Sequence, residues 1–102
     1  MPALLIADID VKDPEAYAKY RTANPDIVNQ FGGRYIALGG AVEVLEGDWH
    51  PARTIVIEFP TMEDLKAFYN SEAYVELRKI RWASASSRMV AIETLPEPID
   101  RP

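Results

Sequence analysis

Arg34 and Tyr35 stand side by side between two glycine pairs in FGGRYIALGG (residues 31–40), and VEVLEGDW and RTIVIEFP follow. On a strand, a guanidinium fork can hold a carboxylate or enolate through two parallel hydrogen bonds. Neighbouring strand residues face opposite ways, so only one of this pair can line a given pocket. The ordinary alternative is that Arg34 pairs with a carboxylate on an adjacent strand, namely Asp8, Glu58 or Glu93. We expect those three to share the face that carries Val56 and Ala91. Unpaired carboxylates are costly at a covered face, so Arg34, Arg53 or Arg88 would have to answer them. One acid of raised pKa could serve there as a general base, although an interfacial ion-pair network is the plainer account.

The other reactive types are few. His50 is the only histidine and follows Trp49 in the loop GDWHPA. One imidazole cannot build the usual metal set, and a lone loop histidine ordinarily faces solvent. Trp49 reads as a lid or a dimer contact. The chain has no cysteine, which excludes disulfides and thiolate chemistry. No metal and no cofactor are expected. Tyr17, Tyr20, Tyr69, Tyr74, Phe68 and Trp82 are mostly core by spacing. Arg81, on a long helix, makes either a cation over a cavity or a surface salt bridge.

The elements that position these residues follow from periodicity. Residues 3–11 (ALLIADIDV) read as a strand with Leu5, Ala7, Ile9 and Val11 on one face and Leu4, Ile6, Asp8 and Asp10 on the other. Asp13 and Pro14 open a helix carrying Tyr17, Tyr20, Ala23, Ile27, Val28 and Phe31, with a kink or restart expected at Pro25. Gly32 and Gly33 end it. Residues 34–38 and 42–46 read as one strand bent at Gly39–Gly40. Residues 53–59 form a further strand, closed by Pro60. Thr61 and Asp64 begin a helix, Ser71 caps another that runs to about Ala85, and residues 88–95 are the last strand. The resulting β-α-β-β-α-β order, with right-handed crossovers, places both helices on one face of an antiparallel sheet, a ferredoxin-like α+β arrangement. The bare face is expected to carry Leu4, Ile6, Val56, Met89 and Ala91. A patch of that kind is a liability on a monomer, and two sheets packed face to face in a C2 dimer would remove it.

Length and charge narrow the class. A chain of 102 residues is one domain, taken as residues 1–95 with a proline-rich tail at 96–102. The net charge of −5 argues against a nucleic-acid partner. Lys66, Arg78, Lys79, Arg81 and Arg88 gather in the second half and read as a solvated helix face. The apolar run ALLIA is too short for a signal peptide or a membrane span, so the expectation is a soluble, cytoplasmic protein.

GGRY-xxx-GG, LEGDW, IEFP, the run from Ser71 to Tyr74 and Arg81 together resemble the family catalogued as domain of unknown function 1330, over roughly Leu4 to Leu95. The resemblance implies a ferredoxin-like fold of the dimeric α/β-barrel superfamily. Relatives there include cofactor-free monooxygenases, haem-degrading enzymes and chlorite dismutases, with substrates kept between helices and sheet. It lends this chain neither a reaction nor a catalytic residue. The expectation is a homodimer with an internal pocket for a small anionic or aromatic organic molecule. Arg34 and Arg81 would anchor it, Tyr35 and Tyr74 would shape it, and Glu58, Trp49 and His50 are further candidate contacts. A cofactor-independent monooxygenase or isomerase, and a dimerisation module with no ligand, are the alternatives.

Overall fold

A computed structural model describes residues 1–96; all but the first residue of the proline-rich tail lie outside this range. Four strands and three helices alternate as β1 (Ala3–Val11), α1 (Pro14–Gln30), β2 (Arg34–Leu38), β3 (Thr54–Phe59), α2 (Met62–Tyr69), α3 (Glu72–Ser84) and β4 (Ala85–Glu93). The sheet is antiparallel in the order β2-β3-β1-β4, the ferredoxin-like plan. The helices start where side-chain oxygens take up orphan amides: Asp13 accepts from Ala16 at 3.2 Å, Thr61 from Asp64 at 3.0 Å and Ser71 from Tyr74 at 3.2 Å. A Cβ on Gly33 would lie 2.7 Å from both Phe59 and Val28, so the turn from α1 into β2 needs glycine there.

One face of the sheet is buried beneath the helices. Ala3, Leu5, Ala7 and Ile9 of β1 and Ile55, Ile57 and Phe59 of β3 are all buried. Phe68 of α2 packs between Phe59 and Tyr74, with ring centroids 5.2 and 4.4 Å away. Among the described residues no helix covers the other face, and the molecule is a slab of 43 × 33 × 16 Å across its Cα atoms.

Several expectations need correction. The 42–46 segment is not a strand. β2 ends at Leu38, Gly39 turns away at φ +67° after donating to the Thr54 carbonyl, and β3 has no earlier residue left to pair with 42–46. The bulge falls at Ile36, between the pairs Tyr35–Ile57 and Ala37–Val56. Helix α1 runs through Pro25 without a restart, and its buried residues are Tyr17, Tyr20, Asn24 and Val28, while Ala23 is exposed. The last strand begins at Ala85, directly after α3, rather than at residue 88.

Met89 pairs with Ala7, Ala91 with Leu5 and Glu93 with Ala3, which puts all three on the helix side. The bare face instead carries Val90 and Ile92, 62% and 53% exposed, beside Leu4, Ile6 and Val56. No helix among the described residues is long and apolar enough to cross a membrane.

Candidate functional site

Between α1, α3 and the covered face lies a cavity of about 40 Å³. Its inner wall is aromatic. The hydroxyls of Tyr20 on α1 and Tyr74 on α3 are 2.8 Å apart. Asn24, one helical turn beyond Tyr20, donates from Nδ2 to the Tyr35 hydroxyl at 2.9 Å. Apolar side chains of β1 and β3, including Leu5, Ile55 and Ile57, complete the floor. The solvent side is formed by exposed Arg21 and Leu38 together with Pro25 and Arg53. Arg53 is held against Gly39: a Cβ there would come within 3.0 Å of its guanidinium carbon.

Two atoms of the lining residues are unsatisfied. Asn24 Oδ1 and Arg53 Nε are buried without a hydrogen-bond partner. Buried polar groups nearly always have one, so each orphan marks a place for water or a ligand atom. Void volumes near 15 Å³ already admit a water, so the space takes one to three of them, or a few heavy atoms.

Burial pushes the phenol of Tyr20 far up, and Tyr74 beside it adds to the effect. Burial also raises Tyr35 and Tyr17, against the lowering from Asn24 at Tyr35 and from Arg53 and Arg81 at Tyr17. All three stay protonated at neutral pH and act as hydrogen-bonding groups, not bases. Among the described residues no carboxylate or imidazole lines the cavity. The arrangement can hold and orient a molecule, but it supplies no general base of its own.

The residues singled out from sequence separate into three places. Tyr35 and Tyr74 come together at the cavity. Arg81 lies just behind them, 3% exposed, with its guanidinium carbon 5.8 Å from the Tyr20 ring centroid and Nη1 donating to Ser87 Oγ. Among the described residues it makes no salt bridge. Burial opposes its charge, but Tyr74 and Tyr20 beside it favour the charged form, and the net shift is upward.

Arg34 and Glu58 sit on the opposite face of the sheet, paired with each other at 2.8 Å, so Arg34 does not share a pocket with Arg81. Trp49 and His50 lie at one end of that same bare face. Trp49 Nε1 approaches Asp8 Oδ2 at 3.4 Å, and His50 borders a groove with Asp8, Asp10 and Arg88.

Asp8 pins this loop. It accepts from the amides of Ala52 at 2.9 Å and Arg53 at 3.3 Å and lies 3.6 Å from Arg88. Desolvation works against its charge, but these donors and the Trp49 indole outweigh it and hold the carboxyl below its usual range.

Asn24 and Arg21 were missed by sequence reasoning, and Arg53 was read only as a partner for the strand carboxylates. Only Asn24 left a signal: an amide at helical spacing from Tyr17 and Tyr20, on the stripe that should be apolar throughout.

The model of a family described as a domain of unknown function (DUF1330) matches residues 2–95. No curated protein gives a significant match. Among solved structures, the RPA0582 protein of unknown function from Rhodopseudomonas palustris superposes with a TM-score of 0.76 at 21% identity, covering 94% of this chain and 84% of that one. SnoaB, a cofactor-independent oxygenase from Streptomyces nogalater, gives 0.61 at 11% identity over 94% and 98%. Rv0793 from Mycobacterium tuberculosis gives 0.56 at 18% identity over 95% and 98%. These likenesses establish the ferredoxin-like fold and nothing finer.

Proposed function

The chain belongs to the domain of unknown function 1330 family, which passes on no reaction, and from that premise we propose a homodimeric module that binds one small organic anion per protomer between helices and sheet. The observation that carries this reading is the pair of orphaned atoms on residues that line the cavity, Asn24 Oδ1 and Arg53 Nε. An acceptor without a donor and a cation without an acceptor together describe a ligand with a hydroxyl and an acidic group. Arg21 at the mouth adds a second positive charge for that group. Aromatic and aliphatic walls suit a ring or a short chain. The polar end fits the 40 Å³ void, and the body lies toward the mouth between Pro25 and Leu38.

The homodimer rests on the bare face. Leu4, Ile6, Val56, Val90 and Ile92 are too contiguous an apolar patch for one slab-shaped chain to leave wet. Cytoplasmic residence remains part of the proposal.

Titration calorimetry against a panel of hydroxylated aromatic and aliphatic acids, with their neutral alcohols as controls, tests the ligand. Saturable binding of acids, weakened at least tenfold by Arg53→Met, supports the reading. Binding that ignores charge, or none across the panel, overturns it and leaves a dimerisation module without a ligand.

A second reading, a cofactor-independent oxygenase, draws on the shared fold with SnoaB and on the hydroxyl cluster beside the cavity. Oxygen uptake with electron-rich phenols checks it. With no base on the cavity wall, such a substrate would have to ionise by itself.

A further inference from the structure

Among the described residues Arg81 is the one charged side chain that is buried. Its guanidinium keeps its charge at any working pH and carries five N–H donors. Nη1 donates to Ser87 Oγ, a neutral acceptor, and Nε has no partner. Among the described residues no carboxylate lies within ion-pair distance of it. A buried cation without an anion is the costly half of an ion pair. The Tyr20 ring, 5.8 Å away, offsets only part of that cost.

A groove of about 520 Å³ runs between α3 and β4 beside this cation, bordered by Tyr69, Arg81, Trp82, Ala85, Ser87 and Met89. Arg81 borders this groove and not the 40 Å³ cavity, and Met89 is the one bordering residue the two spaces share. Among the described residues no acid lines the groove, although the chain carries a net charge of −5.

A second guanidinium stands at the rim. Arg78 lies one helical turn before Arg81, on the same side of α3. It is 4.6 Å from the Tyr69 ring centroid and 5.0 Å from that of Trp82, and its Nη1 donates to the Tyr69 carbonyl at 3.0 Å. Its Nε is also buried without a partner. Two orphaned Nε donors on cationic groups lack the same thing, an acceptor that carries negative charge. The ordinary account of Arg81 is a staple from α3 to β4 through Ser87. That account uses one donor and leaves both the charge and Nε unanswered.

We propose that the groove between α3 and β4 is a second binding site, for a small carboxylate held by Arg81, with its apolar body along Tyr69, Trp82 and Met89. The site goes beyond the cavity reading and does not depend on it.

Trp82 reports on this groove directly, because the other tryptophan, Trp49, lies on the open face of the sheet. Sodium benzoate titrated into isotope-labelled protein should move the Trp82 indole N–H signal saturably and leave that of Trp49 in place, and benzyl alcohol should move neither. Arg81→Met should raise the dissociation constant read from that shift about tenfold or more. Ala85→Glu, which sets a carboxylate in the groove, should do the same and keeps the test open if the loss of Arg81 unfolds the chain. Arg53→Met, which acts on the cavity, should not change the shift. A still Trp82 signal, equal movement with benzyl alcohol, or affinity unchanged by Ala85→Glu overturns the groove site. A shift abolished by Arg53→Met assigns the benzoate to the cavity, so it overturns the groove site and leaves the cavity reading standing.

Discussion

The two faces of β1 alternate with nearly the same residue types and end in opposite environments. Ala3, Leu5, Ala7 and Ile9 lie beneath three helices and are almost wholly dry, while Leu4 and Ile6, one residue out of step, share an uncovered surface with Val90 and Ile92. Apolar burial contributes about 25 cal/mol per Å² wherever it occurs. The chain thus gains that stabilisation on one side and leaves it unrealised on the other. Polarity follows the same division. The covered side pairs the Tyr20 and Tyr74 hydroxyls and buries the orphaned atoms Asn24 Oδ1, Arg53 Nε and Arg81 Nε, whereas the open side carries the exposed pairs Arg34–Glu58 and Arg88–Asp8. Folding finishes the first face, and the proposed second copy would finish the second.

Substitutions sharpen that contrast in descending order. Phe68→Ala on the covered side removes an aromatic ring stacked between Phe59 and Tyr74 and should cost about 3–5 kcal/mol in denaturant unfolding, a large part of a small domain's stability. Ile6→Asp on the open side should leave the fold intact yet raise the dimer dissociation constant about a hundredfold, near 2.7 kcal/mol. An Ile6→Asp variant with unaltered association would show that the face is not an interface.

Asn24→Ala should lower stability by about 1 kcal/mol, because Tyr35 loses its donor, and should weaken any acid that binds. Asp8→Asn acts on the loop. The Asp8 carboxyl binds fewer protons folded than unfolded, so its contribution is present above pH 3.8 and fades as pH falls further. The Asn variant should lack that acid-side loss, and pH-dependent thermal unfolding measures it. Arg34→Ala is the smallest: an exposed pair is worth about 0.2–1 kcal/mol, and ligand affinity should not change, since Arg34 and the cavity lie on opposite faces.

Much of the first face was legible in the sequence because local rules agree there. The caps Asp13, Thr61 and Ser71, the alternation of β1 and the apolar run of β3 each point to one answer. The second face was harder. In β4, Met89 and Ala91 are as apolar as Val90 and Ile92, so alternation carries no sign, and only the pairing of Ala7 with Met89 sets the direction. Residues 42–46 have strand character but no partner within the chain, a fact of topology rather than of local sequence.

The candidate site was legible only at Tyr35 and Tyr74. Arg53 reaches the cavity because Gly39 turns the chain and lets the guanidinium close against it, a close approach that residue spacing does not record.

Sedimentation velocity of the untagged protein across the micromolar range measures most directly whether a second copy covers the open face. A single species of twice the chain mass, shifting to the monomer in the Ile6→Asp variant, is the predicted result. A folded wild-type monomer throughout that range contradicts it.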